Sequence, residues 1–454
     1  MTPLRKRRQD LAPGTVIILS YSLAILLGGI LLALPIAHRG EAVSFLDGLF
    51  TATSAMCVTG LAVVDTGSRF SLFGQTVILL LIQIGGLGIT TFSVYLFFYL
   101  RLGVGMRGRW IINETLHHTP VDSLRDLIRS IMRLTLAIEG IGALLLAWVL
   151  VPREGWWQGC YSAIFHSVSA FCNAGFGLYP DSLIGYRSDP LVNATVIVLI
   201  ILGGIGFLVM REILALRHAG QARRLTLHSK LVLVTSAVLI VLGTAVIAAL
   251  EYDNALRGMG FWEGFGTALF QAVSPRTAGF NTIDLNLFAP ATILCIMALM
   301  FIGASPGSCG GGIKTTSLAV FYAILSSRLR GNPHTNVFRR SLGNEVITKT
   351  LALTLLAGLL VGIAIFFLLL TPGAGAGLRV NQGLLFDYFF EAISAFATVG
   401  LSLGLTPHLG VSGKLIIILL MFVGRVGLLT VAFTIAGRTR SDAVEYGEEN
   451  IMIG

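Results

Sequence analysis

The sequence predicts an all-α polytopic membrane protein in which one structural unit occurs four times about a single axis. Three observations carry that prediction. Of 454 residues, 55% are hydrophobic and 12% charged, roughly half the charged share of a soluble domain. Mean hydropathy is +0.82. Apolar runs long enough to cross a bilayer, about 20 residues as a helix, recur along the whole chain. Finally, a similar string ending in glycine returns four times, each time closing a semi-polar stretch too short to cross. These features exclude a soluble enzyme, a nucleic-acid binder and a disordered chain. The 53 glycines follow neither a collagen period nor a low-complexity run.

Residues 1–13 form a basic tail with Arg5, Lys6, Arg7 and Arg8 ahead of an apolar run that lacks a small-residue cleavage site. That run reads as a first span, not a signal peptide. Spans are expected at 16–36, 75–100, 137–151 with a polar N-terminal extension, and 192–209. Four more are expected at 231–250, 291–302 continuing beyond a glycine-rich break, 351–370, and 415–436. Between the members of each pair lie the short stretches 44–56, 157–171, 262–276 and 384–396, whose length suits re-entrant helices.

Their closing strings align. Phe50-Thr-Ala-Thr-Ser-Ala-Met-Cys-Val-Thr-Gly60 matches Phe165-His-Ser-Val-Ser-Ala-Phe-Cys-Asn-Ala-Gly175 and Phe390-Glu-Ala-Ile-Ser-Ala-Phe-Ala-Thr-Val-Gly400. The third copy, Phe270-Gln-Ala-Val-Ser-Pro-Arg-Thr-Ala-Gly279, is one residue shorter. A second glycine follows each in the next span: Gly85, Gly203, Gly303 and Gly424. Repeat units are therefore expected at 14–110, 111–225, 226–340 and 341–437, with 438–454 a C-terminal tail. Roughly two thirds of the Lys and Arg residues lie in the tails and the connections between units, which places both termini in the cytoplasm by the positive-inside bias. The formal net charge of +9 is read as this topology signal.

Non-helical backbone at membrane depth must line a cavity or be buried in protein. Four glycine loops about one axis point main-chain carbonyls at a central line, where they can replace the hydration shell of a monovalent cation. Glycine permits the positive φ that turns successive carbonyls the same way, and the C-terminal ends of the re-entrant helices favour a cation. The loops carry no carboxylate, which weakens a divalent-cation site. Close helix packing through the glycines is the alternative, but it leaves the re-entrant segments unexplained.

These units resemble the TrkH/KtrB/HKT superfamily of potassium transporters, and strings such as Ser274-Pro-Arg-Thr-Ala-Gly-Phe-Asn281 carry the resemblance over nearly the whole chain. It implies four repeats of helix, pore helix, filter loop and helix around one central pore. The implied filter is Val58, Thr59, Gly60 and Leu61; Asn173, Ala174, Gly175 and Phe176; Thr277, Ala278, Gly279 and Phe280; and Thr398, Val399, Gly400 and Leu401. Four glycines favour potassium, since Ser at the first is associated in the family with sodium permeation. Val58 and Asn173 depart from Thr and imply looser selectivity than a tetrameric channel. A KtrB-like branch is favoured by the absence of an additional N-terminal helix pair and by the C-terminal string. Also implied are potassium as the transported ion, sodium as an activator, a homodimer in the cell inner membrane contacting lipid, and a nucleotide-binding regulatory ring of KtrA or TrkA type. No organic cofactor and no enzyme activity are expected.

The second glycine register reads as a gate. Gly86, Gly204 and Ala304 follow it in three copies and Arg425 in the fourth. A charge at mid-membrane costs on the order of 2.5–3.5 kcal/mol and usually faces a cavity or a partner. Arg425 is therefore expected beneath the filter as an electrostatic barrier, or paired with Glu139 or a carbonyl for assembly. The third copy departs from the others. Gly303, Ala304, Ser305, Pro306, Gly307, Ser308, Cys309, Gly310, Gly311, Gly312 and Lys314 break the helix, because Gly costs about 1 and Pro about 3 kcal/mol in a helix interior. In the resembled family this is the intramembrane loop that blocks the path; the alternative is a structural kink.

Three motifs are decoys. Gly103-Val-Gly-Met-Arg-Gly108 satisfies GxGxxG without a preceding strand, and the Gly307 to Thr315 run imitates a P-loop inside an apolar span. Arg276 beside the third filter would repel potassium, so it is expected to pair with Glu391 or another pore-helix acid. The five cysteines show no metal or disulfide spacing, and the eight His are dispersed. Rival readings are a sodium-permeating HKT-like transporter, an ion-coupled secondary carrier and, more distantly, a membrane enzyme.

Overall fold

The computed structural model describes residues 13–87, 124–218, 225–332, 334–371 and 382–428. The two tails, the 88–100 end of the second expected span and the GxGxxG string lie outside the described residues. The first unit contains α1 (Pro13–Ala33), α2 (Phe45–Met56) and α3 (Leu72–Gly86); the second contains α4 (Leu124–Glu154), α5 (Trp156–Phe171), α6 (Pro190–Ile205) and α7 (Phe207–His218). The third has α8 (Leu227–Glu251), α9 (Phe261–Val273), α10 (Pro290–Phe301) and α11 (Thr315–Leu329), and the fourth α12 (Asn344–Leu369), α13 (Gln382–Ala397) and α14 (Val411–Val426). A two-strand hairpin, β1 (Asn336–Val337) with β2 (Arg340–Ser341), joins the last two units.

Local chemistry starts these helices where the expected boundaries put them. Ser44 accepts from the Asp47 amide at 3.1 Å and caps α2, a contact of about 1 kcal/mol. Asp189 caps α6 ahead of Pro190, and Pro290 opens α10, the position where a missing N–H costs nothing. The four short segments α2, α5, α9 and α13 match the expected re-entrant stretches to within a few residues at each end.

Burial separates the helices into two rings. The apolar windows of the first spans are only 28–39% buried, with Leu23, Leu144, Val241 and Leu355 exposed, so they form the lipid-facing shell. Exposed Trp156, Trp157, Phe261 and Trp262 stand at the starts of α5 and α9, as in an interfacial aromatic belt. Phe50, Phe165, Phe270 and Phe390 of the short helices are fully buried.

Each unit packs its second span against the next unit's short helix: α3 on α5, α6 on α9, α10 on α13, and α14 back on α2. Lys414 Nζ lies 2.6 Å from Asp47 Oδ1, joining the fourth unit to the first. Arg187 bonds Glu263 at 3.1 Å between the second and third. The circle therefore closes.

Of the eight expected spans, the ends at 88–100 and 429–436 lie outside the described residues. Four described helices are long and apolar enough to cross. Two second spans turn at a glycine: α6 and α7 meet at 100°, with Gly206 at φ +99 between them, and Gly427 at φ +95 follows α14. Glycine tolerates this left-handed backbone, which other residues adopt only at a cost.

Candidate functional site

The four glycine loops meet at the middle of this circle. A methyl group on Gly60 would sit 2.5 Å from the Ala174 carbonyl oxygen, and one on Gly175 would sit 2.9 Å from that of Ala278. One on Gly279 would collide with the Val399 oxygen, and one on Gly400 with that of Thr59. Each glycine thus abuts the carbonyl preceding the next unit's glycine, in the order first, second, third, fourth and back to first. Side chains at these positions would fill the space between loops.

The backbone alternates in the same way in every loop. Val58, Asn173, Thr277 and Thr398 have φ of 57, 58, 79 and 52, and Gly60, Gly175, Gly279 and Gly400 have φ of 95, 69, 76 and 91. Alternating hand turns successive carbonyls to one side. Three of the four leading residues are β-branched, for which such φ costs roughly 1–3 kcal/mol.

A serine at the C-terminal end of each short helix holds that strain. Ser54 and Ser394 accept from the Gly60 and Gly400 amides at 3.0 and 3.1 Å. Ser169 donates to the Phe176 carbonyl at 2.7 Å, and Ser274 donates to that of Phe280. All four serines also offer their own carbonyl to the loop, as Ser394 does to the Val399 amide at 2.9 Å. These serines were missed as site residues, although each lies four positions after the aligned phenylalanine. Asn173 joins neighbouring loops, its amide nitrogen donating to Ala170 and Ile200 carbonyls and its oxygen accepting from Thr277 Oγ1 at 3.2 Å.

On one side the ring opens into a cup of about 330 Å³, lined by all four glycines together with Leu401, Phe176, Tyr179, Ser402 and Thr406. Among the described residues no three His, Cys, Asp or Glu side chains gather as a metal-binding group. The oxygens beside the glycines belong to the main chain, and the short helices end there at Met56, Phe171, Val273 and Ala397. That arrangement attracts a partly dehydrated cation.

The opposite side is closed by the segment between α10 and α11. The Gly311 amide donates to Thr398 Oγ1 at 2.9 Å, and a side chain at Gly310 would strike Thr277. The Ser305 and Cys309 amides donate to Gly204 and Gly203 carbonyls, each at 3.1 Å, and the Phe207 amide to that of Gly307 at 3.0 Å. Ser305 and Thr315 hydroxyls share a bond of 2.9 Å. Lys314 Nζ turns back to the Gly310 carbonyl at 2.7 Å. Pro306 and Gly312 (φ +67) complete the fold of the loop, which Gly303 and Ala304 begin.

Arg425 is buried at this level. Its guanidinium donates to the Cys309 carbonyl of the loop and to the Gly85 carbonyl of α3. It therefore spans the fourth, third and first units. Glu139 is not its partner: that carboxylate accepts from Gln83 Nε2 at 3.2 Å and from Cys172.

One other expectation is corrected. Arg276 donates to Ser236 Oγ at 2.9 Å, whereas Glu391 accepts from Ser402 at 2.9 Å and from Thr406, so the two do not pair. The second glycines also have a packing cause. Gly85, Gly203 and Gly424 press on the carbonyls of Met56, Phe171 and Phe396 at the ends of the short helices, while Gly303 presses on Gly311 instead. Gly206 and Gly427, where the spans break three residues later, were missed; their register was legible as Gly88, Gly206, Pro306 and Gly427.

Comparison with known proteins agrees with this architecture. The chain is 40% identical to Ktr system potassium uptake protein B of Bacillus subtilis (strain 168), over 97% of each chain. It is 37% identical to the potassium/sodium uptake protein NtpJ of Enterococcus hirae over the full length of both. The crystal structure of the potassium transporter TrkH from Vibrio parahaemolyticus superposes with a TM-score of 0.72 at 18% identity, covering 95% of this chain and 86% of that one. The family profile for TrkH, cation transport protein, matches residues 6–445. The chain therefore belongs to the TrkH family of cation transport proteins, a family of membrane transporters and not of enzymes.

Proposed function

We propose that this chain is the ion-conducting pore subunit of a Ktr- or Trk-type potassium uptake system. The observation that carries this reading is the closed ring of four left-handed glycines, each against the next loop's carbonyl. The names of the relatives in B. subtilis and E. hirae support potassium as the cargo. Residues 58–61, 173–176, 277–280 and 398–401 act as the selectivity filter, with potassium passing from the cup through the ring. The loop 303–314 and Arg425 form the gate beneath it, held shut by the bonds to Thr398, Gly203, Gly204 and Gly85.

The same reading takes the unit boundaries at 14–110, 111–225, 226–340 and 341–437, and both termini on the cytoplasmic side of the cell membrane. It includes a homodimer and a cytoplasmic nucleotide-binding ring, docked on the basic connections, that supplies the opening signal. A second reading, potassium flux with appreciable sodium permeation or sodium activation, is favoured by Val58 and Asn173 in place of Thr and by the potassium/sodium name of the E. hirae relative.

The test is rescue of a potassium-uptake-deficient bacterium at low potassium, with the regulatory subunit supplied. Wild type is expected to rescue, and its failure would overturn the assignment. Gly60→Ser, placing a side chain at φ +95, is expected to lower discrimination against sodium by roughly tenfold. Unchanged discrimination would remove Gly60 from the filter.

A further inference from the structure

The position after the aligned phenylalanine is polar in every short helix: Thr51, His166, Gln271 and Glu391. All four are buried, and they lie on the side of the helix facing away from lipid. In the fourth unit, Glu391 holds Ser402 and Thr406, which follow the ring glycine and line the cup. In the second unit the same register carries an imidazole with both nitrogens committed to backbone. His166 Nδ1 lies 2.7 Å from the Ser162 carbonyl, and Nε2 accepts from the Leu178 amide at 3.2 Å.

A carbonyl can only accept and an amide N–H can only donate, so these partners together fix one neutral tautomer, with the proton on Nδ1. The ring also stacks on Tyr179 at 4.7 Å and 13°, and it stands 6.5 Å from Phe280 of the third loop. The backbone it carries, from Gly177 to Tyr179, leaves the second glycine of the ring and lines the cup.

Resting on the transport reading above, we propose that His166 is a positioning residue for the second filter loop and serves in its neutral, Nδ1-protonated form. Protonation at Nε2 replaces an accepted hydrogen bond with two opposed N–H groups, pushes Leu178 away and loosens the loop beyond Gly175. The titratable and charged groups around it are Tyr179 against its face, Glu154 bonded to Tyr179 and Tyr186, and Arg153 over the Tyr186 ring at 5.1 Å. Because Gly177 and Tyr179 line the cup, protons from the solution it faces reach this site.

The experiment compares wild type, His166→Gln and His166→Ala in the potassium-uptake-deficient bacterium, with membrane levels of each chain measured. Glutamine retains one acceptor and one donor without titrating, and Gln271 already occupies this register in the third unit. At about pH 7.5, His166→Gln is expected to stay within about twofold of wild type. His166→Ala is expected to lose roughly tenfold in potassium over sodium discrimination. On lowering outer pH below about 4, wild type is expected to lose discrimination while His166→Gln keeps it.

Wild-type discrimination in His166→Ala would overturn the positioning role. Loss in His166→Gln equal to that in His166→Ala would overturn the two-bond geometry, and identical acid responses of wild type and His166→Gln would overturn the requirement for the neutral ring. Failure of wild type itself to take up potassium sinks the transport reading instead.

Discussion

At the glycine ring the four units are nearly interchangeable, and one level below the third and fourth depart from the first two. Around the ring each unit supplies the same backbone hand at two positions, the same serine and the same approach to its neighbour. Below it, the residue after the second glycine is Gly86, Gly204, Ala304 or Arg425, and among the described residues the third unit alone inserts a loop between its half-helices. Equivalence suits a task in which one ion must be gripped equally from all sides. Asymmetry suits a task in which a single part must move while three stay fixed. A single chain with four diverged copies can supply both; four identical subunits could not place a single arginine at this level.

The largest effect is expected from breaking the equivalence. Gly400→Ala puts a methyl group at φ +91 into the Thr59 carbonyl and 2.9 Å from the Gly60 Cα. The left-handed backbone alone costs about 1–2 kcal/mol, and the collision adds to it. Uptake measured as rubidium or potassium flux should fall by at least about thirtyfold; near wild-type flux would show that the ring tolerates inequality.

Arg425→Ala acts on the lower level. It removes charged donors to Cys309 and Gly85, each worth about 1.5–3 kcal/mol. Flux should rise by about tenfold with discrimination among ions unchanged. No change in rate would leave Arg425 an assembly contact.

Thr398→Val sharpens the boundary between the levels, since this side chain belongs to both. Valine stands at the same position in the first unit as Val58, so the backbone accepts it. Only the 2.9 Å bond from the Gly311 amide is lost, worth about 1 kcal/mol. A rise in flux of no more than about fivefold is expected, and a change in ion preference would place the hydroxyl in the filter instead.

Much of the ring was legible before any coordinates. Repetition announces the short helices, the glycines and their register, because four copies must solve one backbone problem with the same residues. The serines were present in those strings but went unread: a small hydroxyl in a helix has many ordinary reasons to be there. Contacts distant in sequence were harder. The partner of Arg276 is Ser236, forty positions away, and those of Arg425 are carbonyls, which every residue carries and no composition signals. The break at Gly206 was hidden inside a continuous apolar run, because hydropathy registers side chains and ignores the hand of the backbone.

Arg425 meets its loop and its neighbouring span through neutral main-chain oxygens, so nothing in those two contacts cancels its charge. An ion climbing from the loop side approaches a fixed positive field at close range. One arriving from the cup feels it only after clearing the ring. On the transport reading such a conduit is expected to rectify: under opposite voltages of equal size, current from cup to loop should exceed the reverse, and equal currents would take Arg425 off the path.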